Sequence, residues 1–139
     1  MCDSWADGYE RKAAHGQATL DAALVRDGIA LFRSLPATAE RNVLLVTDLH
    51  AGNILRAERE PWLVIDPKPF TGDPTYDALQ HILNCDNRLR ADPVSLMRRM
   101  AALLDLDAER LQLWLFARCV QESPHWPGMA DLARRVAPS

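Results

Sequence analysis

Three side chains, Asp48, Asn53 and Asp66, have the types and the spacing that phosphoryl transfer from a nucleotide requires. Asn53 lies five residues after Asp48, and Asp66 lies thirteen residues after Asn53. In such a reaction one carboxylate orients the attacking hydroxyl, and other oxygen ligands hold the magnesium ion that neutralises the triphosphate. The set therefore fits a catalytic carboxylate followed by two magnesium ligands.

Each of these residues also has an ordinary structural interpretation. Asp48 follows an apolar segment, where an aspartate often caps a loop, and Asn53 and Asp66 would then be turn residues. His50 could bind a metal together with Asp48, although a histidine in such a loop more often bonds to the backbone. A metallohydrolase that uses Asp48, His50 and Asp66 is therefore another possibility. The combination of three candidates in this order, rather than any one of them, favours phosphoryl transfer.

The elements around the three residues are predicted to bring them together. The apolar residues 43–46 indicate a short, fully buried strand that ends just before Asp48. Residues 54–57 and 62–65 indicate two strands of a hairpin, joined by the polar turn 58–61. A hairpin of this kind would return Asn53 and Asp66 to the same open end.

The rest of the chain is predicted to be mostly helical, so the fold class is α+β with a small β insert. The first eight residues are polar and are expected to be frayed. Residues 9–35 have a helical pattern that Gly16 and Asp27-Gly28 interrupt, so two shorter helices are as plausible as one. The prolines in 67–74 predict a segment that is neither helix nor regular sheet. Further helices are expected at 76–85, 93–104, 108–122 and 129–136, the second starting at Pro93 and the third capped by Asp107.

Composition excludes several classes of protein. The 139 residues suffice for one domain, and 48% hydrophobic with 25% charged residues argues against disorder. A net charge of -3 leaves no basic surface for nucleic acid. Three cysteines without a CxxC pair, no apolar run long enough to cross a membrane and no secretion signal predict a soluble cytoplasmic protein without membrane contact.

Several strings of residues resemble the aminoglycoside phosphotransferases, which are antibiotic kinases with a protein-kinase-like fold. The strings of the general family are residues 48–55, 64–67 and 72–77. Two longer strings, residues 60–69 and 113–123, resemble the branch of the streptomycin 6-phosphotransferases and hydroxyurea phosphotransferases. The likeness extends over roughly residues 9 to 137, and it leaves the metallohydrolase interpretation without an explanation for the longer strings.

The resemblance implies a reaction and a role for each candidate residue. The complete enzymes transfer the γ-phosphoryl group of ATP to a hydroxyl group of a small antibiotic. By that resemblance Asp48 is the catalytic aspartate, while Asn53 and Asp66 are the ligands of Mg²⁺. Asp73 and Asp77 are expected to brace the loop and to cap the following helix. The implied partners are ATP, magnesium and an antibiotic such as streptomycin or hydroxyurea.

This sequence departs from the family in two ways. The family usually has His-Gly directly before the catalytic aspartate, whereas this chain has Val46-Thr47. Only 47 residues precede Asp48, and a nucleotide-binding lobe with a five-stranded sheet needs about 70 residues. We therefore expect residues 1–139 to be a kinase-like C-terminal lobe alone, without the nucleotide-binding lobe. Such a chain would be inactive or nearly so by itself, and it would self-associate through the surface left by the missing lobe. The alternative is a non-catalytic remnant or binding domain with the same fold.

Other candidate residues have weaker support. Glu122, Asp86 and Asp131 could form an acidic rim for a cationic aminoglycoside, although an ordinary role as solvated surface carboxylates is favoured. Cys119 lies in a predicted helix beside apolar residues, so a buried thiol is expected there rather than a nucleophile.

Overall fold

Seven α-helices and four short strands make up the part of the chain that the computed structural model describes, residues 2–14 and 20–139. Two 3₁₀ turns, Leu35–Thr38 and Ala51–Asn53, lie between them. The strands are β1 (Val43–Leu45), β2 (Ile54–Arg56), β3 (Trp62–Val64) and β4 (Phe70–Gly72). The helices are α1 (Cys2–Ala14), α2 (Ala22–Ser34), α3 (Thr75–Leu83), α4 (Asp86–Ala91), α5 (Pro93–Leu104), α6 (Ala108–Glu122) and α7 (Met129–Val136).

The strands form two separate antiparallel pairs. β2 pairs with β3, with Ile54 opposite Val64, which confirms the predicted hairpin. β1 pairs with β4, with Leu45 opposite Phe70. The prediction that residues 67–74 contain no regular strand was wrong, because the prolines lie outside β4 and leave its amides free to pair.

Strand β1 is only partly buried, contrary to the prediction of a fully buried strand. Leu45 is buried, whereas the side chain of Leu44 is 76% exposed. Successive side chains in a strand point to opposite faces, and here the helices cover only one face of the small sheet. A continuous apolar run therefore did not indicate burial on both sides.

Helix α6 lies at the centre of the hydrophobic core. It packs against α2, α3, α5 and α7, and its buried residues include Trp114, Leu115 and Phe116. The ring of Trp114 meets Phe32 of α2 and Tyr76 of α3 edge to face, with ring centroids 6.0 and 5.3 Å apart. These contacts join α3 to the core of the domain.

Gly28 allows α2 and α6 to approach closely. The sequence predicted that Asp27-Gly28 interrupts a helix, but both residues lie inside α2. A Cβ atom at Gly28 would lie 2.6 Å from Cγ2 of Val120 on α6, which is well inside van der Waals contact. The glycine is therefore required by helix packing rather than by a turn. Gly16, the other predicted interruption, lies outside the described residues.

The first helix begins at Cys2, seven residues before the helical pattern predicted from residue 9, although the first eight residues were expected to be frayed. Ala6 and Tyr9 are buried, and the ring of Trp5 stacks on Phe32 with centroids 6.2 Å apart. These residues recur three or four positions apart, so one face of α1 can pack on the core although the segment is polar on average.

The later helices begin where their capping residues predicted. Asp92 accepts a hydrogen bond from the Ser95 amide at the start of α5, and Pro93 is its first residue. Asp107 accepts hydrogen bonds from the amides of Glu109 and Arg110 and so caps α6. The short helix α4 was not predicted. Within the described residues, the helices are all too short or too polar to cross a bilayer.

Candidate functional site

The loop that carries Asp48 is fixed to the start of α3. The Asp77 carboxylate accepts hydrogen bonds from the amides of Val46 and Thr47, at 2.9 and 2.8 Å. One turn further along α3, the Gln80 side chain donates to the Thr47 carbonyl oxygen at 2.7 Å. Asp77 therefore braces the loop, as the sequence predicted, whereas the role of Gln80 was not foreseen. Its only sequence signal is its position three residues after Asp77.

A second segment, which follows Asp66, lies alongside this loop. The Lys68 amide donates to the Val46 carbonyl oxygen at 2.9 Å, and the Thr47 hydroxyl donates to the Lys68 carbonyl oxygen. Every polar group of Thr47 is thus bonded. Its backbone has a φ of 57°, in the left-handed region that β-branched residues rarely adopt.

The Asp48 carboxylate lies at the end of β1 and forms an ion pair with Lys68. The distance from Lys68 Nζ to Asp48 Oδ2 is 2.5 Å. The hydrogen bond from Lys68 lowers the pKa of Asp48, and the same bond raises the pKa of Lys68. The Asp48 side chain is 28% exposed, so solvent can reach it. Lys68 is one of two lysines in the chain, and its contact with Asp48, which joins residues twenty positions apart, was not foreseen.

His50 has the structural role that its position suggested. Its Nδ1 accepts a hydrogen bond from the Gly52 amide at 3.1 Å, and its Nε2 lies 3.9 Å from Asp48 Oδ1. Asp48, His50 and Asp66 do not form a metal-binding group, and the described part of the chain holds no other cluster of three or more His, Cys, Asp or Glu side chains that could. The geometry thus gives no support to the metallohydrolase interpretation.

Asn53 joins the loop to the hairpin. Its side-chain amide donates to the Asp48 carbonyl oxygen at 3.0 Å, and its own carbonyl oxygen accepts from the Ile65 amide at 2.9 Å. The hairpin thus brings Asn53 next to the residue that precedes Asp66. No donor among the described residues reaches Oδ1 of Asn53. Its amide nitrogen holds the loop in place, which leaves the oxygen as a potential ligand.

Asp66 lies on an exposed turn with a φ of 50°. The amide oxygen of Asn53 and the carboxylate of Asp66 are both hard oxygen donors, which Mg²⁺ prefers. Magnesium usually takes one or two carboxylates from a protein and completes its coordination with waters and substrate phosphates. Asn53 is 9% exposed and Asp66 is on the surface, so binding of one ion by both oxygens stays a prediction, and two such oxygens would not suffice for an all-protein metal site.

Asp73 fixes the start of α3 from within the core. Its side chain is 4% exposed and accepts hydrogen bonds from the Thr75 amide (2.9 Å), Arg110 Nε (2.6 Å) and Trp114 Nε1 (2.8 Å). Arg110 also donates to the Leu35 carbonyl oxygen at 2.7 Å. The capping of α3 was predicted for this region, but the bonds to two residues of α6 were not.

The acidic residues considered as a rim for a cationic substrate are all paired with arginines. Glu122 lies 2.9 Å from Arg118, Asp86 lies 2.8 Å from Arg90, and Asp131 lies 3.9 Å from Arg135. Glu122 and Asp86 thus have close arginine partners within the chain, whereas the ion pair of the exposed Asp131 is long. The buried Cys119 also behaves as expected, since burial raises the pKa of its thiol to about 12 and keeps it protonated.

Thr47 gives a direct test of how the loop is held. Thr47→Val keeps the β-branched shape and the unfavourable φ but removes the hydroxyl bond to Lys68, so we expect a loss of about 1–2 kcal/mol in the free energy of unfolding. Thr47→Gly removes the same bond but relieves a left-handed backbone worth about 1–2 kcal/mol, so it should be close to neutral. Urea unfolding of both variants measures the difference. Thr71→Val, at an exposed position of β4, is the control, and equal stability of the two Thr47 variants would contradict the expectation.

Comparison with known proteins places the chain among antibiotic kinases. The sequence profile of a family described as aminoglycoside/hydroxyurea antibiotic resistance kinase matches residues 2–128. A hydroxyurea phosphotransferase of Kitasatospora aureofaciens is 40% identical over 99 residues, which cover 70% of this chain and 28% of that protein. Streptomycin 6-kinases of Streptomyces glaucescens and Streptomyces griseus are 39% and 36% identical over 89 and 143 aligned positions, gaps included.

The extent of these matches differs between this chain and its relatives. The two streptomycin kinases are matched over 58% and 99% of this chain, but over only 28% and 42% of their own length. The chain thus spans less than half the length of these curated relatives. No solved structure matches it.

Proposed function

This chain belongs to the aminoglycoside/hydroxyurea antibiotic resistance kinases, and from that premise we propose that it carries the catalytic loop of an ATP-dependent phosphotransferase. The acceptor is a hydroxyl group of a small antibiotic such as streptomycin or hydroxyurea. The observation that carries the proposal is the position of Asp48, a partly exposed carboxylate on a loop that Asp77 and Gln80 fix to α3. The proposed fold is that of a kinase C-terminal lobe.

In the proposed reaction Asp48 accepts a hydrogen bond from the acceptor hydroxyl and directs its oxygen at the γ-phosphorus of ATP. A bond forms between that oxygen and the phosphorus, the bond to the bridging oxygen of ADP breaks, and the hydroxyl proton passes to Asp48. In this reaction Asp48 contributes mainly by orienting the hydroxyl, with proton transfer late in the reaction. Asn53 and Asp66 would hold Mg²⁺, which when bound neutralises charge on the phosphates.

A cavity beside α3 offers space for the acceptor. It has a volume of about 500 Å³, within the range of drug-sized binding sites, and Gln80 lines it while also bonding to the Asp48 loop. Asp86 and Glu122 contribute carboxylates to its wall, each beside an arginine. A cationic antibiotic could take the place of either arginine in such a pair, which would give the acidic residues a role in binding.

Two further features of the proposal concern the protein as a whole. Several apolar side chains of the strands are exposed, among them Leu44 (76%) and Trp62 (65%), and association of two copies through this face stays a prediction. A cytoplasmic location, which suits an enzyme that uses ATP, likewise stays a prediction.

The competing proposal is a non-catalytic remnant or binding domain. It is favoured by Val46-Thr47 in place of His-Gly, because Thr47 has the left-handed backbone that glycine adopts without strain. Both proposals assign the same fold to the chain, so only a measurement of activity separates them.

The test compares these 139 residues with a chimera in which they replace the matching 42% of the streptomycin 6-kinase of Streptomyces griseus. We expect little transfer from magnesium-ATP by the 139 residues alone, because positioning of the nucleotide supplies most of the rate in this chemistry. The chimera should phosphorylate streptomycin or hydroxyurea. A folded chimera that transfers phosphate to neither compound would overturn the enzyme proposal and support the remnant.

A further inference from the structure

Lys68 occupies a position that the proposed roles of Asp48, Asn53 and Asp66 leave unexplained. Two hydrogen bonds hold its backbone. The Lys68 amide donates to the Val46 carbonyl oxygen, and the Thr47 hydroxyl donates to the Lys68 carbonyl oxygen. The Lys68 side chain then extends to Asp48, where the ammonium nitrogen lies 2.5 Å from Oδ2. The rigid backbone and the directed side chain place one positive charge at the catalytic loop.

This ion pair contributes little to the stability of the fold. The Lys68 side chain is 65% exposed, and exposed ion pairs are weak because water and salt screen them. The loop is already fixed by the backbone bonds to Asp77 and Gln80. The ammonium can therefore leave Asp48 at small cost when a stronger anion arrives.

The negative charges around the loop would repel a phosphate group that approaches Asp48. Asp48 and Asp66 both lie close enough to Lys68 to act on its charge, and together they carry two negative charges. A triphosphate that approaches these carboxylates is repelled unless a cation stands between them. Lys68 is the residue that supplies such a cation beside Asp48.

We propose that Lys68 is a phosphate-binding residue of the candidate site, whose ammonium group exchanges Asp48 for the terminal phosphate oxygens of the phosphoryl donor. This inference rests on the proposed function and adds a residue to it. The exchange has a second consequence, since it releases the Asp48 carboxylate to accept the hydrogen bond of the acceptor hydroxyl. Binding of the phosphoryl donor would thus free the Asp48 carboxylate for the acceptor, and Lys68 would link the two events.

The chain contains a matched control, because Lys12 is its other lysine. Lys12 bonds to the His125 ring, with its Nζ 2.8 Å from Nε2, and has no carboxylate of the loop as a partner. Replacing either lysine with Met removes one positive charge and keeps a side chain of similar length. Any effect of net charge alone should therefore be the same in both variants.

The test measures binding of inorganic tripolyphosphate to the 139-residue chain by isothermal titration calorimetry, with and without Mg²⁺. We expect Lys68→Met to weaken binding about ten- to hundredfold, the effect of losing one charge-assisted hydrogen bond. Lys68→Arg should retain most of the affinity, and Lys12→Met should bind as the parent chain does. Thermal unfolding should be unchanged in Lys68→Met, which separates a binding role from a structural one.

Three results would overturn the inference: no binding of tripolyphosphate by the parent chain, equal binding by Lys68→Met, or an equal loss in Lys12→Met. Failure of the proposed function has a different signature. Suppose that tripolyphosphate binding depends on Lys68 but the folded chimera transfers no phosphate. The kinase reaction would then be refuted, and the phosphate-binding role of Lys68 would be retained.

Discussion

Replacing Asp48 with Asn is expected to lower phosphoryl transfer by the streptomycin kinase chimera by about 10²- to 10⁴-fold, the usual contribution of a positioned proton acceptor. An asparagine has the same shape, but its amide oxygen is neutral and cannot take up the proton of the acceptor hydroxyl. The loop should keep its conformation, because Asn53 bonds to the backbone of residue 48 and Asp77 bonds to the amides of Val46 and Thr47. Steady-state rates with saturating ATP and streptomycin measure the loss in kcat.

A control separates this loss from a change in surface charge. Asp131→Asn also removes one negative charge. The Asp131 side chain is 68% exposed, and its ion pair with Arg135 is long, at 3.9 Å. This variant should transfer phosphate at the parent rate. If Asp48→Asn retained the activity of this control while both remained folded, Asp48 would not be the residue that orients the hydroxyl, and the role assigned to the loop would be wrong.

Local signals in the sequence were sufficient for much of this fold. Pro93 and Asp107 mark the starts of α5 and α6 because capping depends on residues two or three positions away. The hairpin was predicted from two short apolar runs and the turn between them, and its register then places Asn53 beside the residue before Asp66. Local signals thus predicted the hairpin that brings Asn53 close to Asp66, while the catalytic and ligand roles stay predictions.

The features that were missed depend on contacts between distant parts of the chain. Strand β4 exists because β1 pairs with it, and nothing within residues 70–72 distinguishes a strand from a turn. Gly28 is a packing residue only because Val120 lies opposite to it. The contact of Lys68 with Asp48 likewise requires the tertiary structure, so its charge could be counted in the sequence but not placed.

Asp73→Ala is expected to cause the largest loss of stability, about 3–5 kcal/mol, the usual cost of removing one partner from a buried ion pair. The substitution would leave the 19% exposed Arg110 side chain and the buried indole nitrogen of Trp114 without their acceptor. It would also remove the hydrogen bond from the Thr75 amide at the start of α3, the helix from which Asp77 holds the Asp48 loop. Urea unfolding measures the stability, and transfer by the chimera should fall with the fraction of folded protein.

The pH dependence of stability provides a second measure of Asp73. Burial alone raises the pKa of this carboxyl, but hydrogen bonds from Trp114, Thr75 and Arg110 outweigh burial and lower it. A lowered pKa stabilises the folded state above the unfolded pKa of about 4, and that contribution is lost as the pH falls through the folded value. Asp73→Asn cannot ionise, so its stability should fall less steeply than that of the parent chain over this acidic range.

Asp21→Ala is the matched control for the capping part of the Asp73 effect. Asp21 accepts a hydrogen bond from the amide two residues ahead, at 2.8 Å, in the same way that Asp73 accepts from Thr75, but it is exposed and has no partner on α6 among the described residues. Its loss should cost about 1 kcal/mol, the usual value for a helix cap. The difference between the two substitutions is then the contribution of Arg110 and Trp114. If Asp73→Ala cost no more than Asp21→Ala, the buried bonds to α6 would be energetically unimportant, and α3 would owe its position to apolar packing of Tyr76 against Trp114 instead.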